Sequence, residues 1–300
     1  MTAAVTPVAP MLGVLTRREI RHYLTAKLYW LGAALLAVVT AIDLAGSSSS
    51  TTAGGEYSSS ALSMIGPAAL LGVLGLIVMA GLARRSDRAA AAAGSVAVPE
   101  RTRTAALAGA VVVPVATALL WYAAALAEYA IHPPAPATVP FGPFGDGHVF
   151  AVMFASGVLP ALGGPLLGLL LARWLPGRGV TPLAVVLLVL VTILMQGNFE
   201  STWRWRVVWP WTYWYGPLGW NTGTGHWVAL PGSPQLWIVY LLALCALGLL
   251  VALYHDPESP RTRLRLLIAA TLAVAVAALV LTMLLGLPAA VYNPLTGPAA

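Results

Sequence analysis

Seven long apolar runs, separated by short polar stretches, organise the chain: Leu28 to Ala45, Ala61 to Ala83, Ala105 to Ile131, Val149 to Leu175, Val180 to Gln196, Leu236 to Tyr254 and Leu266 to Leu287. Each approaches or exceeds the roughly 20 residues that cross about 30 Å of hydrocarbon at about 1.5 Å per residue. The pattern predicts seven membrane-spanning helices. The longest stretches between them are Gly46 to Ser60, Arg84 to Thr104, His132 to His148, Gly197 to Gln235 and His255 to Arg265. None of these can bury a core of its own. The expected fold is therefore all-α, a polytopic membrane helix bundle forming a single transmembrane domain over 1–300. Within it, 11–27 is expected to be a cytoplasmic surface helix, 28–254 a six-span core and 266–287 an additional span.

Charge orients this bundle. Of 16 basic residues, all but Arg204 and Arg206 fall in every second gap: Arg17, Arg18, Arg21 and Lys27, then Arg84, Arg85, Arg88, Arg101 and Arg103, then Arg173 and Arg178, then Arg261, Arg263 and Arg265. The positive-inside rule places these gaps in the cytoplasm, with the N-terminus inside and the C-terminus outside. A composition of 59% hydrophobic and 9% charged residues, with a mean hydropathy of +0.83, excludes a soluble globule of this size. The net charge of +6 then reads as an orientation signal. A nucleic-acid partner is not expected, because the arginines are scattered and lack an aromatic platform beside them on the cytoplasmic side. The first run starts after a basic approach without a small-residue cleavage pattern, so it reads as a retained span. Cys245, the lone cysteine, sits mid-span as packing.

Chemistry is sparse within the spans. A mid-bilayer charge costs at least about 2.5 kcal/mol, so ion-coupled pumps mark their pathways with buried Asp, Glu, His or Arg. Asp43, Glu128 and Glu200 instead lie at or beyond span ends. The single lysine, Lys27, precedes the first span, which excludes both a retinal Schiff base on the seventh span and a GxxxxGK[ST] phosphate loop. No HExxH occurs, and no Gly-x-Ser-x-Gly stands near a plausible base. His22, His132, His148, His226 and His255 form no pair with metal-ligand spacing on one helix. No catalytic residue, metal or resident cofactor is expected.

Three segments look specialised. Around Arg17-Arg18-Glu19-Ile20-Arg21, the positions Ile20, Tyr23, Leu24 and Leu28 follow helical spacing while Arg18, Arg21 and His22 point elsewhere. This reads as a helix on the cytoplasmic leaflet, or as a simple basic topology stop. Between the second and third runs, Val98-Pro99-Glu100-Arg101-Thr102-Arg103 suits a short helix: Pro99 lacks a donor that the first turn could not use, and Glu100 meets the positive helix start. Such a charged surface helix is a natural docking knob. Third, Gln196 to Trp227 holds Trp203, Trp205, Trp209, Trp211, Trp214, Trp220 and Trp227, seven of eleven tryptophans. Indoles favour the headgroup level, so this segment reads as an external interfacial belt or a re-entrant pair of short helices broken by Pro210, Gly216, Pro217 and Gly219.

In the order and placement of these parts, roughly over 11–254, the chain resembles the membrane permease subunit of a type-2 ABC exporter. The resemblance implies that Arg17, Arg18, Glu19 and Arg21 belong to a connecting surface helix, and that Pro99, Glu100, Arg101 and Arg103 belong to the loop that couples to an ATPase. It also implies that Trp203, Trp205, Trp209, Trp211, Trp214 and Trp220 form an external hairpin dipping into the outer leaflet. Two copies would pair with two copies of a separate ABC ATPase, which alone would bind ATP and Mg. The homodimer's apolar faces on spans one, two and five would pass an amphipathic or lipid-like molecule. The chain itself would catalyse nothing. The seventh span departs from the family's six. The expected location is a plasma membrane, and fifteen arginines against one lysine, with abundant alanine, point to a GC-rich bacterial source.

Two other readings stand beside it. A haem-handling protein of cytochrome assembly would place His132, His148 and His226 outside near the tryptophans, although no Trp-Asp dipeptide or WGxxWxWD-type signature occurs there. A lipid-modifying enzyme needs clustered carboxylates at the membrane surface. Asp256 and Glu258 are the close cytoplasmic pair, and their neighbouring arginines favour ion pairing in a solvated loop.

Overall fold

The computed structural model describes residues 8–47, 65–94, 98–131, 146–198, 207–211, 218–221, 226–229, 232–286 and 291–293. Within the described residues, each of the seven apolar runs is predominantly helical. α1 (Val8–Leu24) turns at Thr25 and Ala26 into α2 (Lys27–Ser47), the two axes bent by 62°. α3 (Ile65–Pro67) continues through a π-helical turn (Ala68–Val73) into α4 (Leu74–Ala93). α5 (Glu100–Gly109) leads into α6 (Val112–Ile131). α7 (Asp146–Met153) continues through a second π-turn (Phe154–Val158) into α8 (Leu159–Trp174). α9 (Val180–Asn198), α10 (Pro234–Tyr254) and α11 (Arg261–Leu284) complete the helices. Among the described residues, five helices are long and apolar enough to cross a membrane, and a sixth if the bent α1–α2 pair counts as one span. The apolar part of α9, Val180–Met195, is shorter.

The centre is the α4–α8 pair, and glycine sets its separation. A Cβ on Gly164 would strike the Gly72 carbonyl, and one on Gly168 would strike the Leu76 carbonyl. A Cβ on Gly75 would stand 2.9 Å from Pro165 Cγ. The Gly164-x-x-x-Gly168 spacing thus presents a bare stripe that lets two backbones touch, the usual way helices gain dispersion contact where lipid removes the hydrophobic drive. Both central helices carry their π-turns near this crossing, and Pro160 and Pro165 weaken the ladder of α8 further. Tyr23, Leu71, Met79, Leu107 and Leu169 pack around the pair and are almost wholly buried.

Outside this centre the helices present apolar side chains to their surroundings. Leu31, Leu35, Val38 and Ile42 on α2, Leu183, Leu187, Leu190 and Leu194 on α9, and Leu266, Leu272, Val276 and Leu284 on α11 are all exposed. Such a belt is the outer face of a bundle solvated by hydrocarbon.

The Trp-rich segment differs in part from a pair of short helices. Over Leu218–Asn221 (β1) and His226–Ala229 (β2) it is an antiparallel hairpin, with Trp220 opposite Trp227. Val291–Asn293 (β3), beyond α11, pairs with β2. The ends of α10 and α11 meet beside it, where a Cβ on Gly286 would strike the Gly232 carbonyl. Both glycines adopt positive φ there, 87° and 128°. Trp203, Trp205 and Trp214 lie outside the described residues.

Candidate functional site

The helix ends carrying the basic gaps come together at one end of the bundle. α5 begins there after Pro99, which offers no side-chain cap. Its start is instead capped from 155 residues away: the backbone N–H of Arg101 donates to Asp256 Oδ2 at 2.7 Å. Asp256 is 3% exposed and also accepts from the Glu258 N–H at 2.9 Å, an Asx-turn across Pro257. Asp256 is therefore not part of a solvated ion-pair loop, whereas Glu258 is exposed. Asp256 is a buried acceptor that fixes where α5 starts, because its negative charge favours the helix N-terminus.

Glu100, the first residue of α5, points into the same junction. Its Oε1 lies 2.7 Å from His255 Nδ1 and 3.8 Å from Arg173 Nε. The Arg173 side chain, at the end of α8, is only 2% exposed and also pairs with Asp87 Oδ1. Asp87 in turn accepts from Arg103 Nη1 at 2.8 Å, and that nitrogen also reaches the Ser86 carbonyl. Thus α4, α5 and α8 are joined by one chain of alternating charge, and Glu100 ties it to the His255 imidazole at the end of α10. Arg84 extends it to α9 by donating to Thr181 Oγ1 at 2.7 Å and to the Gly177 carbonyl at 3.2 Å.

Beside this network, α1 lies across α4 and α5. Gly109 admits Thr16 at the crossing, where a Cβ would stand 2.6 Å from Thr16 Cγ2. Glu19, 8% exposed, receives Arg85 Nη2 at 3.1 Å. A cleft of about 180 Å³ opens between the three helices, lined by Leu15, Arg18, Glu19, Arg85, Ser86, Ala89, Ala90, Ala93, Val98, Arg103 and Ala106. Of its three arginines, Arg85 pairs with Glu19 and Arg103 with Asp87, so the excess positive charge rests on Arg18. Small alanines form its α4 wall, so a partner's side chain could approach the backbone closely. Burial, then the Arg85 charge, hold the nearby His22 imidazole below its ordinary value of 6.5, with Glu19 opposing.

The residues singled out in the sequence divide into several groups. Arg18, Glu19 and Arg103 line the cleft, with Pro99 starting α5 beside it. Glu100 and Arg101 point to the ionic junction: Arg101 Nη1 also reaches the Glu258 carbonyl at 3.3 Å. Arg17 and Arg21 are exposed on α1 away from it. Arg85, Asp87, Arg173, His255 and Asp256 are central here yet read as orientation charges or loop residues in the sequence. Only the Asp-Pro-Glu turn signal around Asp256 hinted at its role.

Trp209 and Trp211 belong to a second structure at the opposite end. The segment 207–211 inserts between helices: Trp237 Nε1 donates to the Val207 carbonyl at 3.0 Å, and Tyr240 donates to that of Val208 at 2.9 Å. Trp209 Nε1 donates to Thr192 Oγ1 of α9 at 3.2 Å. Trp211, 6% exposed, wedges at the glycine crossing, where a Cβ on Gly72 would stand 2.8 Å from its Cζ2. Trp220 sits in β1. His132 lies outside the described residues, His148 is in α7 and His226 in β2. Among the described residues, no group of three His, Cys, Asp or Glu side chains could hold a metal ion. No protein-family model, curated protein or solved structure matches the chain.

Proposed function

We propose that this chain is the membrane permease subunit of an ATP-driven exporter, with the basic cleft between α1, α4 and α5 as the seat of a separate ATPase. The observation that carries the reading is the cleft itself. A short helix, α5, is held from behind by Asp256 and by the Glu100–Arg173–Asp87 chain, and so presents Arg103 and Ala106 beside Arg18 on a rigid base. A knob seated there pushes on α5, and the buried charge chain transmits the push to α8 and α10 because an uncompensated buried guanidinium costs several kcal/mol, about 3–5 when a partner is lost. The excess positive charge suits an acidic, partly apolar docking element. With no phosphate-binding loop in this chain, ATP and Mg would be held by the partner.

Two copies would pair through the exposed apolar faces of α2 and α9, both of which flank α4. Their large side chains recur at helical spacing: Leu31, Leu35, Val38 and Ile42, and Leu183, Leu187, Leu190 and Leu194. A pathway lined by these faces suits an amphipathic or lipid-like molecule. The basic end then faces the cytoplasm, and the seven helices leave the C-terminus outside.

The test is purification of the tagged protein from its native membrane with an assay of vanadate-sensitive ATPase activity. Arg18 is exposed and lines the cleft, so Arg18→Glu is expected to abolish co-purified activity while leaving the bundle folded. Wild-type protein that carries no such activity would sink the reading.

A further inference from the structure

A second hollow lies away from the basic cleft and from the proposed pairing faces, in the seam between α8 and α10. These helices run parallel. Leu159 packs with Trp237 and Tyr240 at one end, and Trp174 Nε1 donates to the Val251 carbonyl at 3.1 Å at the other. The hollow measures about 170 Å³ and lies between Leu159 to Leu170 of α8 and Leu241 to Gly248 of α10, with Pro210 and Trp211 beside it. Its sole side-chain heteroatoms are the thiol of Cys245 and the indole nitrogen of Trp211. A cavity of about 150 Å³ lined only by apolar side chains stays dry and takes a hydrocarbon ligand. Water therefore finds few partners here, the Trp211 indole N–H and the Cys245 thiol.

Glycine holds the hollow open. A Cβ on Gly248 would meet nothing within 4 Å, and one on Gly163 would rest at an ordinary 3.5 Å from Cys245 Sγ. Both positions could carry side chains that fill the space, and neither does. The α8 wall from Leu159 to Leu170 covers about 16 Å and the α10 wall from Leu241 to Gly248 about 10 Å at about 1.5 Å per residue, against about 15 Å for half of the hydrocarbon thickness. Pro210 and Trp211 form a side wall, with the Trp211 ring beside Gly163 and Gly164. One end runs toward Trp174, which is 46% exposed at the edge of the basic face. An apolar hollow of this length in the seam of a membrane-spanning bundle has the form of a slot for part of one lipid chain.

We infer that the α8–α10 groove is a binding site for part of a single acyl chain of a bilayer lipid, seated against Trp211. The inference rests on the bundle spanning a membrane and is independent of the exporter reading. Its consequence is structural: Trp211, which wedges the α4–α8 crossing, becomes one wall of the slot, so occupancy bears on the crossing directly.

The experiment places the full chain in vesicles containing a phospholipid with a photoactivatable diazirine near the end of one acyl chain, followed by mapping of the adducts. Adducts are expected on Leu166, Leu244 and Cys245 above the level on the freely exposed Leu272, and Gly248→Leu is expected to reduce them to that level. Gly81→Leu is the control, since Gly81 also meets open space but lies on an outer face of α4. Groove adducts no more frequent than those at Leu272, or unchanged by Gly248→Leu, would overturn the proposal. So would cross-links from the groove to a second copy of the chain, because the seam would then be a protein interface.

Discussion

At the basic end, α4, α5, α8 and α10 meet through shared carboxylates, Asp87 between Arg103 and Arg173 and Glu100 between Arg173 and the His255 imidazole. At the opposite end the same bundle is closed by neutral groups. Indole and phenol donors of Trp237 and Tyr240 reach backbone carbonyls, and Trp211 fills a gap that Gly72 and Gly164 leave. The difference bears on how each end responds to change. Charge pairs tolerate small shifts because the Coulomb term falls slowly with distance. Packing against bare backbone tolerates none, because dispersion and repulsion change within tenths of an ångström. The basic end is thus suited to receive force and the apolar end to hold register.

The sharpest way to break this contrast is Gly164→Leu. Its side chain would have to occupy the position of the Gly72 carbonyl and of Trp211. No rotamer avoids backbone, so the loss is expected to exceed about 4 kcal/mol, and size-exclusion profiles in detergent should show no monodisperse protein. Next comes Trp237→Ala. Trp237 is fully buried and its loss also strands the Val207 carbonyl, so about 3–5 kcal/mol is expected, read as a lowered midpoint of thermal unfolding in detergent.

At the basic end the effects should be smaller. Arg173→Ala removes a buried cation, but Asp87 keeps Arg103 and is 40% exposed, and Glu100 keeps His255. About 2 kcal/mol is expected, below the roughly 3–5 of a wholly buried pair, and Arg173→Met should recover part of it by restoring volume. If Met and Ala were equally damaging, charge rather than volume would hold the junction.

The smallest effect concerns pH. His22 has a lowered folded pKa, so the folded state resists its protonation. Its contribution to stability is fully present above the ordinary value of 6.5 and is lost as pH falls through the lower folded value. Unfolding midpoints measured between pH 7.5 and 5.5 should decline more steeply for wild type than for His22→Gln. Equal slopes would remove His22 from the account.

Much of the architecture was readable along the chain. Apolar runs gave the helices, because hydrocarbon-length segments without charges have few other solutions. The bend after Leu24 and the start of α5 after Pro99 followed from local rules. The hairpin over Leu218–Ala229 was not expected, although Asn221-Thr222-Gly223 is a turn signal, because the tryptophans suggested interfacial helices. The Gly164-x-x-x-Gly168 spacing was not read as a contact stripe, and its partner, Gly72, cannot be read from α8 alone.

What the sequence by itself determined is therefore the one-dimensional part: where helices run, which ends are basic, and which short helix starts with Glu100. The tertiary structure alone decided which charges are buried. Arg173 and Arg178 are five residues apart in one basic gap, but Arg173 is enclosed and Arg178 is exposed. The distinction arises because Asp87 and Glu100 reach Arg173 from other helices, the first from 86 residues away, and a buried charge persists only where such partners converge. The same holds for the cleft and the groove, whose walls are drawn from segments that share no local pattern. Hydropathy is a property of each segment, whereas a cavity belongs to the space between several.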